Sequence, residues 1–361
     1  MTQSQARNPY KNLPPEAFWR TAVTGRSVET IGIIHQPKFH IGQETTLAMA
    51  GSCFAQRLLR HLRTRGFQVL DLEPPPPGLT PEEEMRFGFG LYSARHGNIY
   101  TARQLRQLAE EAFGLFTPAN AIWQKADRFF DALRPTIEPN GLASAAAVKD
   151  QRRFHLRKVR DVITQAQVFV FTLGLTEAWT DVRTGTVYPT APGVACGEYD
   201  PARHRCVNFT AQQVRDDLAA FLALAKTHNP SMKLLLTVTP QWPVATATGK
   251  HVLVAANYSK AVLRAAAGQL QSEHRDVDYF PSYEIATNPV AGNLYFQPNL
   301  RTVTDAGAVA AIDAFLIAYN AEWQIPVTPE PQPADTTPQA DAIRTAEDVA
   351  CDDELLETYA P

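Results

Sequence analysis

The chain has 361 residues, a formal net charge of −3, 45% hydrophobic and 20% charged residues, and four cysteines. That composition suits a folded chain with a sizeable core, and the near balance of charge, with no Lys/Arg-rich stripe interleaved with aromatics, argues against a nucleic-acid partner. Met1 to Pro15 holds no apolar stretch of the length a secretory signal needs, and no uncharged apolar run is long enough to span a bilayer, so the expectation is a soluble cytoplasmic protein without membrane contact.

Residues 1–43 are rich in Pro, Asn, Gln and Thr, with one weak apolar run at Ile31-Gly32-Ile33-Ile34, and read as an arm laid over the domain. Short apolar runs then predict parallel strands at Thr45–Ala50, Phe67–Leu72, Val168–Leu173, Lys233–Val238 and Val277–Phe280. Apolar periodicity predicts helices at Gln56–Arg65, Ala102–Phe113, Ala143–Ile163, Ala211–His228, Val252–Ser272 and Asp305–Tyr319. Strands alternating with helices of this length imply βαβ units and a parallel sheet covered on both faces, a three-layer α/β/α sandwich. The stretch from Glu73 to Pro139, opened by the stiff run Pro74–Pro77, reads as a helical insertion without a core of its own. A single domain is expected over residues 44–325. From residue 326 the chain turns acidic and proline-rich, with nine acidic residues against the single basic Arg344 from Glu330 onward. Such a segment buries too little apolar surface to offset its ordering entropy, so residues 326–361 read as a disordered tail. Val349, Leu355 and Leu356 are weak anchors for an unidentified protein partner if a short helix forms there.

The first strand runs through Gly51-Ser52 directly into a helix. Ser52 therefore sits at the carboxyl end of a strand and the amino end of a helix, where ligands of open α/β sheets gather. The competing role is an N-cap, for which Ser is among the best residues. The segment Gly51-Ser52-Cys53-Phe54-Ala55 resembles the signature of the GSCFA family, which is related to the SGNH (GDSL-like) hydrolases. The similarity continues through residues 97–101 (GNIYT), 172–179 (TLGLTEAW), 257–260 (NYSK) and 279–285 (YFPSYEI).

The resemblance implies a serine ester hydrolase acting on an acyl, for instance acetyl, ester of a carbohydrate or metabolite, with Ser52 as nucleophile. It places Gly97 among the oxyanion donors and Thr176 or Glu177 where an amide is expected. Thr176 has a hydroxyl and a backbone N–H to donate, whereas an ionised Glu177 cannot stabilise an oxyanion; Asn98 is an alternative amide donor. A first-turn helix role is the competing reading of Thr176 and Glu177. The Asp-x-x-His that supplies acid and base in SGNH enzymes is replaced by Asn299-Leu300-Arg301-Thr302. His251, which follows the strand Lys233–Val238 and its loop, is then the expected base, with Glu284 as the acid that orients it and His96 as the next candidate. His61, His155, His228 and His274 read as solvated helix residues. Pairing with a cation such as Lys260 is the competing role of Glu284.

Cys53 is a rival nucleophile, since a helix amino terminus favours the thiolate, although a small apolar thiol there more often points into the core. Cys53, Cys196, Cys206 and Cys351 contain no CxxC pair and read as thiols rather than a disulfide framework. Cys196 and Cys206 with His204 between them match no common zinc spacing, so no metal is expected. Gly88-Phe89-Gly90 and Gly249-Lys250 fail the nucleotide-binding patterns, so no cofactor is implied. Trp123, Trp179, Trp242, Tyr188 and Tyr258 suggest a medium-sized substrate. Two alternatives stand beside the hydrolase: an O-acyltransferase on the same fold, and a non-catalytic binding module.

Overall fold

The structure is a computed structural model that describes residues 8–28, 34–320 and 351–360. In chain order its strands are β1 (Leu47–Gly51), β2 (Ile122–Lys125), β3 (Arg128–Asp131), β4 (Val168–Leu173), β5 (Glu177–Asp181), β6 (Val187–Tyr188), β7 (His204–Asn208), β8 (Lys233–Val238) and β9 (Val277–Phe280). Its helices are α1 (Trp19–Ala22), α2 (Cys53–Thr64), α3 (Pro81–Arg86), α4 (Ala102–Ala112), α5 (Ala145–Gln165), α6 (Ala211–His228), α7 (Val252–Glu273), α8 (Ser282–Thr287) and α9 (Asp305–Tyr319).

A central sheet of order β1-β4-β8-β9 is parallel throughout. Its strands are apolar on both faces, as burial between two helical layers demands. Alternate side chains divide between those layers. Ala48, Phe169, Phe171, Leu234 and Leu236 pack against α4, α5, α6 and α7. Leu47, Met49, Val168, Val170 and Leu235 pack against α2 and α9. The result is the three-layer α/β/α sandwich, with six predicted helices lying within two or three residues of α2, α4, α5, α6, α7 and α9.

Three regions differ from expectation. Residues 67–72 do not form a full strand; Val69 makes one parallel bridge to Leu47 at the edge of the sheet, and the chain then leaves toward its proline run. The stretch 73–139 contains α3 and α4 but also the antiparallel hairpin β2–β3. Between β4 and α6 lies an unanticipated antiparallel sheet of order β6-β5-β7. Of the amino-terminal arm, His35 bonds Asp278 and Tyr319, and the Ile41 N–H donates to the Tyr319 carbonyl, which lays residues 35–41 along β9 and α9. The run Ile31–Ile33 lies outside the described residues, as do 321–350 and 361. Residues 351–360 are not disordered: they form a 3₁₀ segment over Asp352–Tyr359 that packs on the domain, with Asp352 5% exposed. Among the described residues no helix is long and apolar enough to cross a membrane.

Candidate active site

The site is built on the turn between β1 and α2. Gly51 has φ +142°, and a Cβ there would lie 2.5 Å from the Thr172 carbonyl oxygen, so glycine is required for β1 to lie against β4 at this point. Opposite, a Cβ on Gly174 would crowd the Ser52 Cβ at 3.1 Å and the Tyr100 carbonyl oxygen at 3.2 Å, so the loop after β4 closes directly over the serine. The N–H groups of Gly174 and Leu175 both donate to the Tyr100 carbonyl, which pins that loop to the segment before α4.

Ser52 occupies the N-cap position of α2, yet its side chain makes no capping hydrogen bond. Its residue is 2% exposed, and its Oγ has no hydrogen-bond partner. A buried hydroxyl without a partner costs about 1–3 kcal/mol, so it calls for a reason other than helix capping. Thr172 Oγ1 and Thr176 Oγ1, on β4 and the loop that follows it, are likewise buried and unpartnered. Ser52 lines a narrow cleft with Tyr100, Gly174, Thr239, Gln241, Trp242 and Asp353.

The other expected site residues are dispersed. Gly97 and Asn98 line a neighbouring cavity rather than the Ser52 cleft. The Asn98 Oδ1 accepts from Tyr92 and Gln56, and its Nδ2 donates to Asp352 at 2.9 Å. The Thr176 N–H donates to Ser259 Oγ at 3.0 Å. Glu177 opens β5 instead of a helix, and its carboxylate accepts from Thr246 Oγ1 and the Ala247 N–H, tying down the loop after β8. The Ser52 N–H itself donates to the Thr172 carbonyl at 3.2 Å.

His251 is the exposed N-cap of α7, its Nδ1 accepting from the Leu253 N–H at 3.2 Å. Glu284 accepts from Arg264 Nε at 2.6 Å and from Tyr279 OH at 2.8 Å. Neither bonds the other, so the expected base and orienter are not brought together. The competing role for Glu284, an ion pair, is realised, with Arg264 as the cation rather than Lys260. His96 is buried, with its ring Nδ1 against the Gly97 carbonyl, and burial pushes it down to about 4. His155, read as a solvated helix residue, is fully buried against Glu73 at 2.6 Å. At the place of the Asp-x-x-His, Asn299 Oδ1 accepts the N–H groups of Arg301 and Thr302 in an Asx turn.

Two features lay beyond the sequence reading. Lys260 is wholly buried, donating to the carbonyls of Thr239 and Gln241, both of which line the Ser52 cleft. Burial lowers its pKa to about 7, against the opposing pull of Asp353. Its position every third or fourth residue along the apolar face of α7 was the available signal. The second feature is a disulfide between Cys53 and Cys351, 298 positions apart. Cys53 is therefore not a free nucleophile, and the reading of all four cysteines as thiols holds only for Cys196 and Cys206. Of the expected aromatics, Trp242 lines the Ser52 cleft, whereas Trp123 packs on Tyr188 away from it. Among the described residues no group of three or more His, Cys, Asp or Glu is placed to hold a metal ion.

No curated protein matches the chain. The family comparison matches the GSCFA family over residues 46–315, the stretch that contains the Ser52 turn, the Gly97 and Gly174 loops, and the helix bearing Lys260. With the greater part of its 361 residues matched, the chain belongs to the GSCFA family.

Proposed function

We propose that the protein is an SGNH-like serine ester hydrolase in which Ser52 attacks the carbonyl carbon of an acyl ester. The observation that carries this reading is the buried, unpartnered Ser52 Oγ, which declines the cap role open to it and faces a cleft at the carboxyl edge of the sheet. In the reaction the hydroxyl proton passes to a base, the alcohol of the ester leaves, and water then cleaves the acyl-serine. Thr176, with its unpaired hydroxyl, and Asn98, with its amide, are the proposed donors to the oxyanion, near the backbone of Gly97. His251 is the proposed proton acceptor, being the imidazole that follows the cleft-lining loop Thr239–Pro243. Glu284 does not support it in this geometry. Trp242 offers the acyl or sugar portion an apolar face.

Fluorophosphonate treatment of the full chain, read by peptide mass spectrometry, tests the nucleophile. The expected result is one adduct at Ser52, absent in Ser52→Ala, with esterase turnover falling on the order of 10⁴-fold or more in that variant. Unchanged turnover in Ser52→Ala would falsify the reading. A binding module is the second reading, favoured by the replacement of Asp-x-x-His at 299–302. Folded protein that takes up no fluorophosphonate, whether the Cys53–Cys351 bond is intact or reduced, would favour it.

A further inference from the structure

The segment 351–360 borders both cavities of the candidate site. Cys351 and Asp352 border the cavity that contains Gly97 and Asn98, while Asp353 borders the cleft that contains Ser52. The segment thus borders both the proposed nucleophile and the cavity of the proposed donor Asn98. Asp352 is bound on three sides. Its N–H donates to Tyr100 OH at 3.1 Å, and its carboxylate accepts from Asn98 Nδ2 at 2.9 Å and Thr136 Oγ1 at 2.5 Å. Beyond it, Asp353, Glu354 and Glu357 surround the Arg301 guanidinium at 3.9, 3.5 and 3.7 Å. The Cys53–Cys351 bond fastens the segment to the residue that follows Ser52.

We infer that the carboxyl-terminal segment is an intramolecular occupant of the Ser52 cleft, latched by the Cys53–Cys351 disulfide and released when a dithiol reductant opens that bond. The inference rests on reading Ser52 as the reacting group. The Asn98 amide, needed for a developing oxyanion, is engaged by the Asp352 carboxylate, so the segment fills the acceptor position with an anion of its own. Arg301 lies within the stretch 299–302 that replaces the Asp-x-x-His of SGNH enzymes, and here it holds the acidic strap. A tether converts docking into an intramolecular event, so a few polar contacts suffice to keep the cleft filled while the bond is intact.

The redox step balances with a dithiol as the two-electron donor. A thiolate of the reagent attacks Cys351 Sγ, the less buried of the two sulfurs. The Cys53–Cys351 bond breaks, and Cys53 Sγ leaves as a thiolate at the amino end of α2, where the helix N–H groups favour negative charge. The second thiol of the reagent then displaces Cys351 from the mixed disulfide. Two protein thiols and one oxidised reagent result.

The test compares three forms of the full chain: prepared under air with the disulfide verified by non-reducing peptide mapping, treated with dithiothreitol, and Cys351→Ser. Fluorophosphonate labelling of Ser52 should rise about tenfold or more on reduction, the change expected if the strap leaves one molecule in about ten open. Cys351→Ser should label at the reduced rate with or without dithiothreitol, and deuterium uptake over 352–359 should rise in both open forms. Measurable labelling of Ser52 at the same rate in air and in dithiothreitol overturns the latch, as does absence of the Cys53–Cys351 disulfide from aerobic protein or unchanged deuterium uptake on reduction. Uptake that rises while Ser52 labels in no state leaves the latched strap standing and removes the serine-hydrolase reading instead.

Discussion

Two sets of buried polar side chains are treated in opposite ways in this fold. Beneath the hairpin β2–β3, Asp131 accepts from Arg134 and, through both carboxylate oxygens, from Arg152 Nη1, Arg152 also binds Glu111, and Glu73 accepts from His155 and the Arg95 N–H. His155 Nε2 is the one buried side-chain atom of that cluster without a partner. Burial by itself would raise Asp131, but the Arg152 and Arg134 guanidinia hold it at about 2. At the carboxyl edge of the sheet, by contrast, Ser52, Thr172 and Thr176 keep their hydroxyls buried and unbonded. Paired burial of charge holds a segment in place, whereas unpaired burial leaves a group ready to bond something else. Position in the chain does not separate the two sets, but their partners do.

The largest effect that would sharpen this contrast is on the paired side. Asp131→Ala leaves two buried guanidinia without their carboxylate and should cost about 3–5 kcal/mol in denaturant unfolding. A loss under about 1 kcal/mol would show that the cluster is not a brace.

The next concerns pH. Burial lowers His96 and His155 to about 4, the latter against the pull of Glu73. In the unfolded chain both titrate near 6.5. Between those values the unfolded state binds more protons than the folded one. Stability is therefore complete above about pH 6.5 and falls as pH drops toward 4, by up to about 1.4 kcal/mol per pH unit for each group. Melting temperature measured from pH 7 to pH 4 should decline accordingly, and His155→Gln should flatten that decline. An equal slope in the variant would mean that His155 takes up its proton as readily in the folded state as in the unfolded one.

On the unpaired side the effects on stability should be small. Ser52→Ala removes an unsatisfied hydroxyl and should leave stability unchanged or raise it by up to about 1 kcal/mol, even though it ends turnover. A loss beyond about 2 kcal/mol would mean that the hydroxyl has a structural partner. Smallest of all, His251→Ala loses an exposed cap and should cost about 0.5–1 kcal/mol. Its turnover decides whether it is the proton acceptor, since full activity in this variant removes that role.

Much of this was legible from the residues alone. Apolar runs at Val168–Leu173, Lys233–Val238 and Val277–Phe280 became β4, β8 and β9 with the predicted bounds, because strands buried on both faces read as nearly continuous apolar runs. Gly51-Ser52 marked the strand-turn-helix, because only glycine tolerates the approach of Thr172. Periods of about 3.6 and continuous apolar runs are local properties, and local sequence carries them. What only the tertiary structure decided was pairing across the chain. Glu284 chose Arg264 over Lys260, and Asn98 reached Asp352 across 254 positions. The acidic composition of 326–361 argued for disorder, and it is a sum over residues that is blind to one cysteine. Cys351 meets Cys53 because the fold brings the two within 5.6 Å between Cα atoms, and a bond of that kind orders a segment whose own apolar surface would not.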